Sequence, residues 1–373
     1  MEQTRTELHT HLMGMLSARE FIQLINDYSD FIYWPVDREQ DENSIIIDSS
    51  SLINNKEAIE AISIPLGETR PYKEGLGSLY RNRSDILSFV VRNYAYNSNI
   101  SEKEAQLIIY NDYFNRAIEE LIDYGVKYTE ISFANEGLIS SFVQDKDTRD
   151  KIKVNFLLCT QRANKIGPAF QERINKACAT GLSIGFDIMG LELPMEEREL
   201  RKTGKESFYR KLDPLLRILT QYDNSVLRIH SGESVGSEEN TEHIFRMIDE
   251  LKSEYGYPDF PPPELRIGHG VHYNKNDYFY NFLRKNHVII EINGISNRAL
   301  SNINSINELP YIDYLKHGIP IVLSTDAHGA YSTCTYIEDV LALKVFVKNH
   351  FEKGYELVKE IDDVILERKT RGW

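Results

Sequence analysis

Four short segments hold side chains that can act together in catalysis. The first is His9-Thr10-His11. At the end of a strand, imidazoles at i and i+2 share a face and can reach one metal ion; alone, the pair also fits a surface turn. The second is Leu227-Arg228-Ile229-His230-Ser231-Gly232-Glu233. His230 offers a further imidazole. Glu233, at a corner after a glycine, offers a carboxyl that a metal site can hold protonated and use for proton transfer; the ordinary alternative is a loop glutamate. The third is Arg266-Ile267-Gly268-His269-Gly270-Val271-His272. Its glycines leave room for a ligand or a water beside His269, which otherwise reads as a core histidine. His272 reads as structural. The fourth is Val322-Leu323-Ser324-Thr325-Asp326-Ala327-His328-Gly329. Asp326 can close a metal site and accept a proton from bound water, or it can cap the following helix.

The elements around these segments decide between the two kinds of reading. Short β-branched runs predict strands near 5–10, 127–134, 152–159, 183–190, 225–231, 265–269, 287–292 and 319–325. Amphipathic patterns predict helices between them, among them 102–124, 206–222, 237–255 and 331–350. Strands alternating with helices imply a parallel sheet. Closed on itself, that sheet is an α/β (β/α)8 TIM barrel, with its chemistry at the C-terminal ends of the strands. All four segments fall at such ends. Three histidines and an aspartate are then available to a metal, with Glu233 and His269 left for proton transfer. Mixed nitrogen and oxygen ligation with an open position suits catalytic zinc; iron and manganese accept the same donors.

No linker or repeat divides the chain, so residues 1–373 are expected to form a single metal-dependent barrel domain. An irregular or helical insertion of about residues 31–100 follows the first strand. Within it, 31–83 reads as irregular, either a surface excursion or a substrate lid. Lys and Arg number 43 against 57 Asp and Glu, a net charge of -14, which disfavours binding to a nucleic-acid backbone. No apolar run is long enough for a membrane span, and the first residues lack the apolar core of a secretory leader. The three cysteines are too scattered for a disulfide framework or a CxxC zinc site, so a cytoplasmic protein is expected. A homo-oligomer is compatible with this surface.

Read in order, the segments ELHTHLMG, GFDIMGLEL, RIHSGE, RIGHG, EINGISN and STDA resemble the adenosine deaminase family of the amidohydrolase superfamily over nearly the whole chain. The HxE and PCxxC signature of the smaller cytidine-deaminase fold is absent. The resemblance implies one zinc ion per chain on His9, His11, His230 and Asp326, activating a water. It implies that His269 and Asp326 orient and deprotonate that water, and that Glu233 protonates the ring nitrogen beside the attacked carbon. Gly190 would meet another ring nitrogen through its backbone, and Asn297 would help to shape the site.

Two positions depart from the family pattern. Met13 and Ala327 stand where the family usually carries acidic residues, one for the ribose 5'-hydroxyl and one for the purine imidazole ring. A carboxylate at 13 would repel a 5'-phosphate at close range, and methionine removes that repulsion. Arg70, Lys73, Arg81 and Arg83, or Arg198, Arg201, Lys202 and Lys205, can supply positive charge, although acidic residues are interleaved with both runs. His328 is a candidate for the lost imidazole-ring contact. The leading expectation is hydrolytic deamination of AMP or dAMP. The alternatives are a deaminase of adenosine, deoxyadenosine, a modified purine or another heterocycle, and, from another class, a non-catalytic barrel scaffold.

Overall fold

The computed structural model describes residues 6–34, 45–48, 50, 52, 59, 62–64, 76–142, 146–162, 164–190, 192, 205–256, 263–301, 303, 305–331, 336–359 and 363. Eight strands form one parallel sheet: β1 (Thr6–His11), β4 (Tyr128–Phe133), β5 (Lys153–Gln161), β6 (Gly185–Met189), β7 (Val226–Ser231), β8 (Glu264–His269), β9 (Ile289–Asn293) and β10 (Ile321–Ser324). They lie side by side in chain order. The ends meet through the backbone, where His11 N–H donates to the Asp326 carbonyl at 3.0 Å and Asp326 N–H to the His9 carbonyl at 2.8 Å. These bonds nearly close a (β/α)8 barrel, as the alternation of runs predicts. β1, β7, β9 and β10 are buried along their whole length, as strands covered on both faces must be.

Helices wrap the sheet, and several begin where the sequence signals a start. Ser17 caps α1 (Ala18–Tyr28) by accepting from Glu20 N–H, and Ser101 caps α3 (Glu102–Asp123) through Glu104 N–H. Both are Ser-x-x-Glu starts, which satisfy exposed helix donors. The helices predicted at 102–124, 206–222 and 237–255 are seen as α3, α4 (Lys205–Leu219) and α5 (Glu238–Tyr255). The last predicted helix, 331–350, runs from 336 as α6 (Tyr336–His350).

The insertion is more ordered than its composition suggests. β2 (Phe31–Trp34) and β3 (Ile45–Asp48) pair antiparallel, Phe31 opposite Asp48. α2 (Leu76–Ser98) begins inside the stretch expected to be irregular. Gly77 lowers helix propensity there. Burial of Leu79, Ile86, Leu87 and Val90 on one face overrides that local preference. Among the described residues, no helix is long and apolar enough to cross a membrane.

Beneath the catalytic rim the barrel is filled with paired charge. Arg228 of β7 meets Asp187 of β6 at 2.8 Å, and Arg266 of β8 meets Glu130 of β4 at 2.5 Å and Glu291 of β9 at 3.2 Å. All five side chains are fully buried. Removing one member of such a set leaves an uncompensated buried charge, at a cost of about 3–5 kcal/mol.

Candidate active site

The strand ends bring the predicted chemistry into one cluster. His9 and His11 come from β1, His230 from β7, His269 from the last residue of β8, and Asp326 from just beyond β10. Asp326 Oδ1 lies 3.3 Å from His11 Nε2 and 3.5 Å from His9 Nε2. The rings of His9 and His230 are 4.6 Å apart, and those of His11 and His230 are 5.2 Å apart. His269 and Asp326 both adopt left-handed backbone, at φ 73° and 67°. Such strain in non-glycine residues persists where the surrounding structure imposes it and gathers at functional sites.

The donors fit a divalent metal. Nε2 of His9, Nε2 of His230 and Oδ1 of Asp187 are buried with no hydrogen-bond partner among the described residues. Within the sets His9, His11, Asp326 and His11, Asp187, His230, the possible ligand atoms all lie within 4.8 Å of one another. Burial lowers the pKa of His11 to about 3 and lowers that of His230, so both rings stay neutral and keep a lone pair for a metal. Asp187, which stands in GFDIMGLEL, is a potential ligand that the sequence reading leaves unassigned. Its Oδ1 is 3.3 Å from His230 Nε2.

Neighbouring groups hold the cluster in place. Gly268 is small for a reason: a Cβ there would sit 2.6 Å from Cε1 of His9. Glu291 Oε2 lies 2.9 Å from His9 Nδ1, the carboxylate–imidazole arrangement that fixes a metal-ligating ring. Ser296 Oγ donates to Asp326 Oδ2 at 2.7 Å, which leaves Oδ1 facing the imidazoles. Burial alone would raise the pKa of Asp326. The His9 imidazole, 3.5 Å from Oδ1, and the imidazoles beside it outweigh burial and hold the carboxyl below its usual range.

Glu233 and His269, the two groups expected to move protons, have opposite settings. Burial pushes the pKa of Glu233 well up, and the carboxylates of Asp326 and Glu192 add to the shift, which favours its protonated form. Glu192 anchors this corner by accepting from Glu233 N–H at 3.0 Å and from Ser231 Oγ at 3.0 Å. His269 is held neutral by burial. Asn297 Oδ1 accepts from Asn293 N–H at 2.9 Å, which directs its amide nitrogen to His269 Nδ1 at 2.8 Å. Nδ1 is therefore the acceptor, and Nε2–H faces His230 Nδ1 at 3.3 Å, with Glu233 Oε1 further off at 3.6 Å.

A cavity of about 260 Å³ opens over this floor. His11, His230, Glu233 and Asp326 line it, with Met13, Phe133, Met189 and Gly190 among its walls. Tyr80, Arg81 and Ser84 of α2 reach it from the insertion. Three expectations change. His328 does not line the cavity: it is buried 3.7 Å from Glu120 and edge-on to Tyr124. Asn297 does not line it either, and acts on its shape through His269. Arg83 is fully buried and donates to the carbonyls of Met13, Leu16, Ile62 and Gly329, so its charge serves the fold. Arg70, Lys73, Arg198, Arg201 and Lys202 lie outside the described residues.

Known proteins share this arrangement of the chain. The family model described as adenosine deaminase matches residues 57–350. An adenosine deaminase of Vibrio atlanticus is 23% identical over 339 residues, covering 86% of this chain and 81% of the relative. An adenosine deaminase of Plasmodium gallinaceum is 27% identical over 164 residues, a match that spans only 39% of that relative's length. Among solved structures, the apo N6-methyl-AMP deaminase of Arabidopsis thaliana superposes with a TM-score of 0.56 at 16% identity, covering 99% of this chain and 97% of that one.

Proposed function

The chain belongs to the adenosine deaminase family of hydrolytic deaminases, and we propose that it removes the amino group from an adenine nucleoside monophosphate, AMP or dAMP, as ammonia. The observation that carries this reading is geometric: Glu233 and Asp326 line one cavity with His11 and His230, and their surroundings push the pKa of Glu233 up and that of Asp326 down. Two carboxyls whose surroundings push their pKa values apart form an acid–base pair.

We assign one zinc ion to His9, His11, His230 and Asp326. Bound there, zinc supplies Lewis-acid activation of a water near neutral pH. Asp326 takes a proton from the attacking water on its Oδ1. His269 orients that water through Nε2–H. Glu233 gives its proton to the ring nitrogen beside the attacked carbon, which makes that carbon more electrophilic. Gly190, at φ 107° on the cavity wall, can offer backbone to the far edge of the ring. Asp326 passes the proton it took to the amino group, which leaves as ammonia as the tetrahedral intermediate collapses, and the hydroxyl proton of the intermediate restores Glu233, leaving a hypoxanthine base.

The monophosphate assignment rests on the cavity mouth. Met13 puts no negative charge there, while Arg81 and Ser84 face the same space from one side of α2. A guanidinium with a neighbouring hydroxyl is a natural phosphate pair. The Arabidopsis fold neighbour is named for a nucleoside monophosphate as well. The test is conversion of AMP to IMP by the zinc-loaded chain, followed by ultraviolet absorbance alongside Glu233→Gln. Turnover by wild type and its loss in a variant that keeps zinc support the reading. Equal turnover by the two proteins refutes the proton-donor assignment.

A further inference from the structure

Glu233 stands just beyond β7, at a corner, so its aim depends on what holds the loop. The peptide unit between Gly232 and Glu233 is held at both of its polar ends. The Gly232 carbonyl accepts from Val271 N–H at 3.0 Å and from His272 N–H at 2.8 Å, in the loop after β8. Gly232 sits at φ 72°, and a Cβ there would lie 2.5 Å from the His272 carbonyl oxygen, so the chain passes this closely only as glycine. At the other end, Glu233 N–H donates to Glu192 Oε2 at 3.0 Å. The two holds together set the direction in which the Glu233 side chain leaves the backbone.

Glu192 is itself anchored. Its Oε1 accepts from Ser231 Oγ at 3.0 Å and from Asn240 Nδ2 at 3.1 Å, and Ser231 Oγ lies 2.8 Å from Thr241 Oγ1. Asn240 and Thr241 belong to the first turn of α5. Glu192, Ser231, Asn240 and Thr241 are all buried. One carboxyl thus joins the loop after β6, the corner after β7 and the start of α5. It is not among the residues that line the cavity, so its route to the reaction runs through Glu233. After burial and Asp326, the charge of Glu192 is the third influence that favours the protonated form of Glu233.

We propose that Glu192 is a positioning residue for the proton donor: it seats the Glu233 backbone opposite the loop after β8 and so aims the Glu233 carboxyl at the ring nitrogen of the substrate. This inference rests on the deaminase reading. A group that transfers a proton must stay within hydrogen-bond reach of its target, and a misplacement of about 1 Å costs on the order of 10²-fold in rate.

The test uses the full-length, zinc-loaded protein and Glu192→Ala, made both in wild type and in Glu233→Gln. In wild type, kcat for AMP is expected to fall roughly ten- to a hundred-fold, the effect of losing one hydrogen bond to a charged group, with KM and zinc content little changed. In the Glu233→Gln background the same substitution should cost nothing further, since residues that act through one another are not additive. An equal loss in both backgrounds, or none in wild type, overturns the proposal. If Glu192→Ala fails to fold or to hold zinc, Glu192→Gln keeps the volume, offers one oxygen to three donors, and takes the same readouts. If wild type deaminates no adenine compound, the deaminase reading fails separately, and hydrogen exchange at the Glu233 amide decides about the seat. Exchange faster by about tenfold or more in the variant, with the amides of β8 unaltered, supports it as a local opening. Equal exchange in the two proteins overturns it.

Discussion

The metal end of the cavity and its mouth are built in different ways. At the metal end every chemical group sits on a barrel strand or within a few residues of one, and each is held by a second group: Glu291 against His9, Ser296 against Asp326, Asn297 against His269. At the mouth, Met13 sits in the short helix after β1, while Tyr80, Arg81 and Ser84 come from a helix in the insertion. The difference separates chemistry from choice of substrate. The rigid end can keep one reaction while the mouth changes what is presented to it.

The largest expected effect breaks the metal end. Asp326→Ala or His11→Ala should lose zinc, measured by elemental analysis, and reduce deamination to background. A variant that keeps full activity without metal removes the assignment. Next, Glu233→Gln should keep zinc and lower kcat by about 10²–10⁴, the usual worth of a positioned general acid. A rate within a few-fold of wild type would place the proton donor elsewhere.

A change at the mouth should be smaller and selective. Met13→Asp puts a carboxylate near the proposed phosphate position, with a repulsion of about 1–4 kcal/mol at contact distance. The ratio of kcat/KM for AMP over adenosine should fall by tenfold or more while zinc content stays the same. An unchanged ratio would detach the phosphate reading from this residue.

The smallest effect concerns the support behind the metal end. Asp339 of α6 accepts from Ile295 N–H at 3.1 Å, in the helix Gly294–Leu300 that bears Ser296 and Asn297. Burial raises its pKa to about 7 against an ordinary value of 3.8. Over that window the unfolded chain has lost the proton and the folded chain still holds it. Stability therefore falls as pH rises from about 4 to 7, then levels off. Asp339→Asn removes this slope. Its melting temperature should exceed that of wild type at pH 8 and match it near pH 4, with substrate preference unaltered. Parallel melting curves across the range would contradict the burial argument.

The same division sets what could be read from the sequence. His9 and His11 are legible because strand period and residue type coincide, and His230, Glu233, His269 and Asp326 because each ends a β-branched run. All eight barrel strands show in the same way. Tyr80 leaves no such mark: it lies far along the chain from His11 and is drawn in by the carbonyls that Arg83 collects from four places. Arg83 itself reads as surface charge until those partners are visible. His328, one residue beyond Ala327, looks like a substitute for it, yet backbone direction sends its ring to Glu120. The β2–β3 pair is hidden for a simpler reason, since each strand is four residues long and they flank a polar stretch.

The most direct test of the central claim is ammonia release from the zinc-loaded chain with AMP, dAMP, adenosine, deoxyadenosine, ATP and adenine offered separately. The account predicts release from the two monophosphates, at a kcat/KM well above that for the nucleosides. Release from nucleosides alone would contradict the reading of the mouth, and silence across the set with zinc bound would contradict the adenine deaminase reading itself.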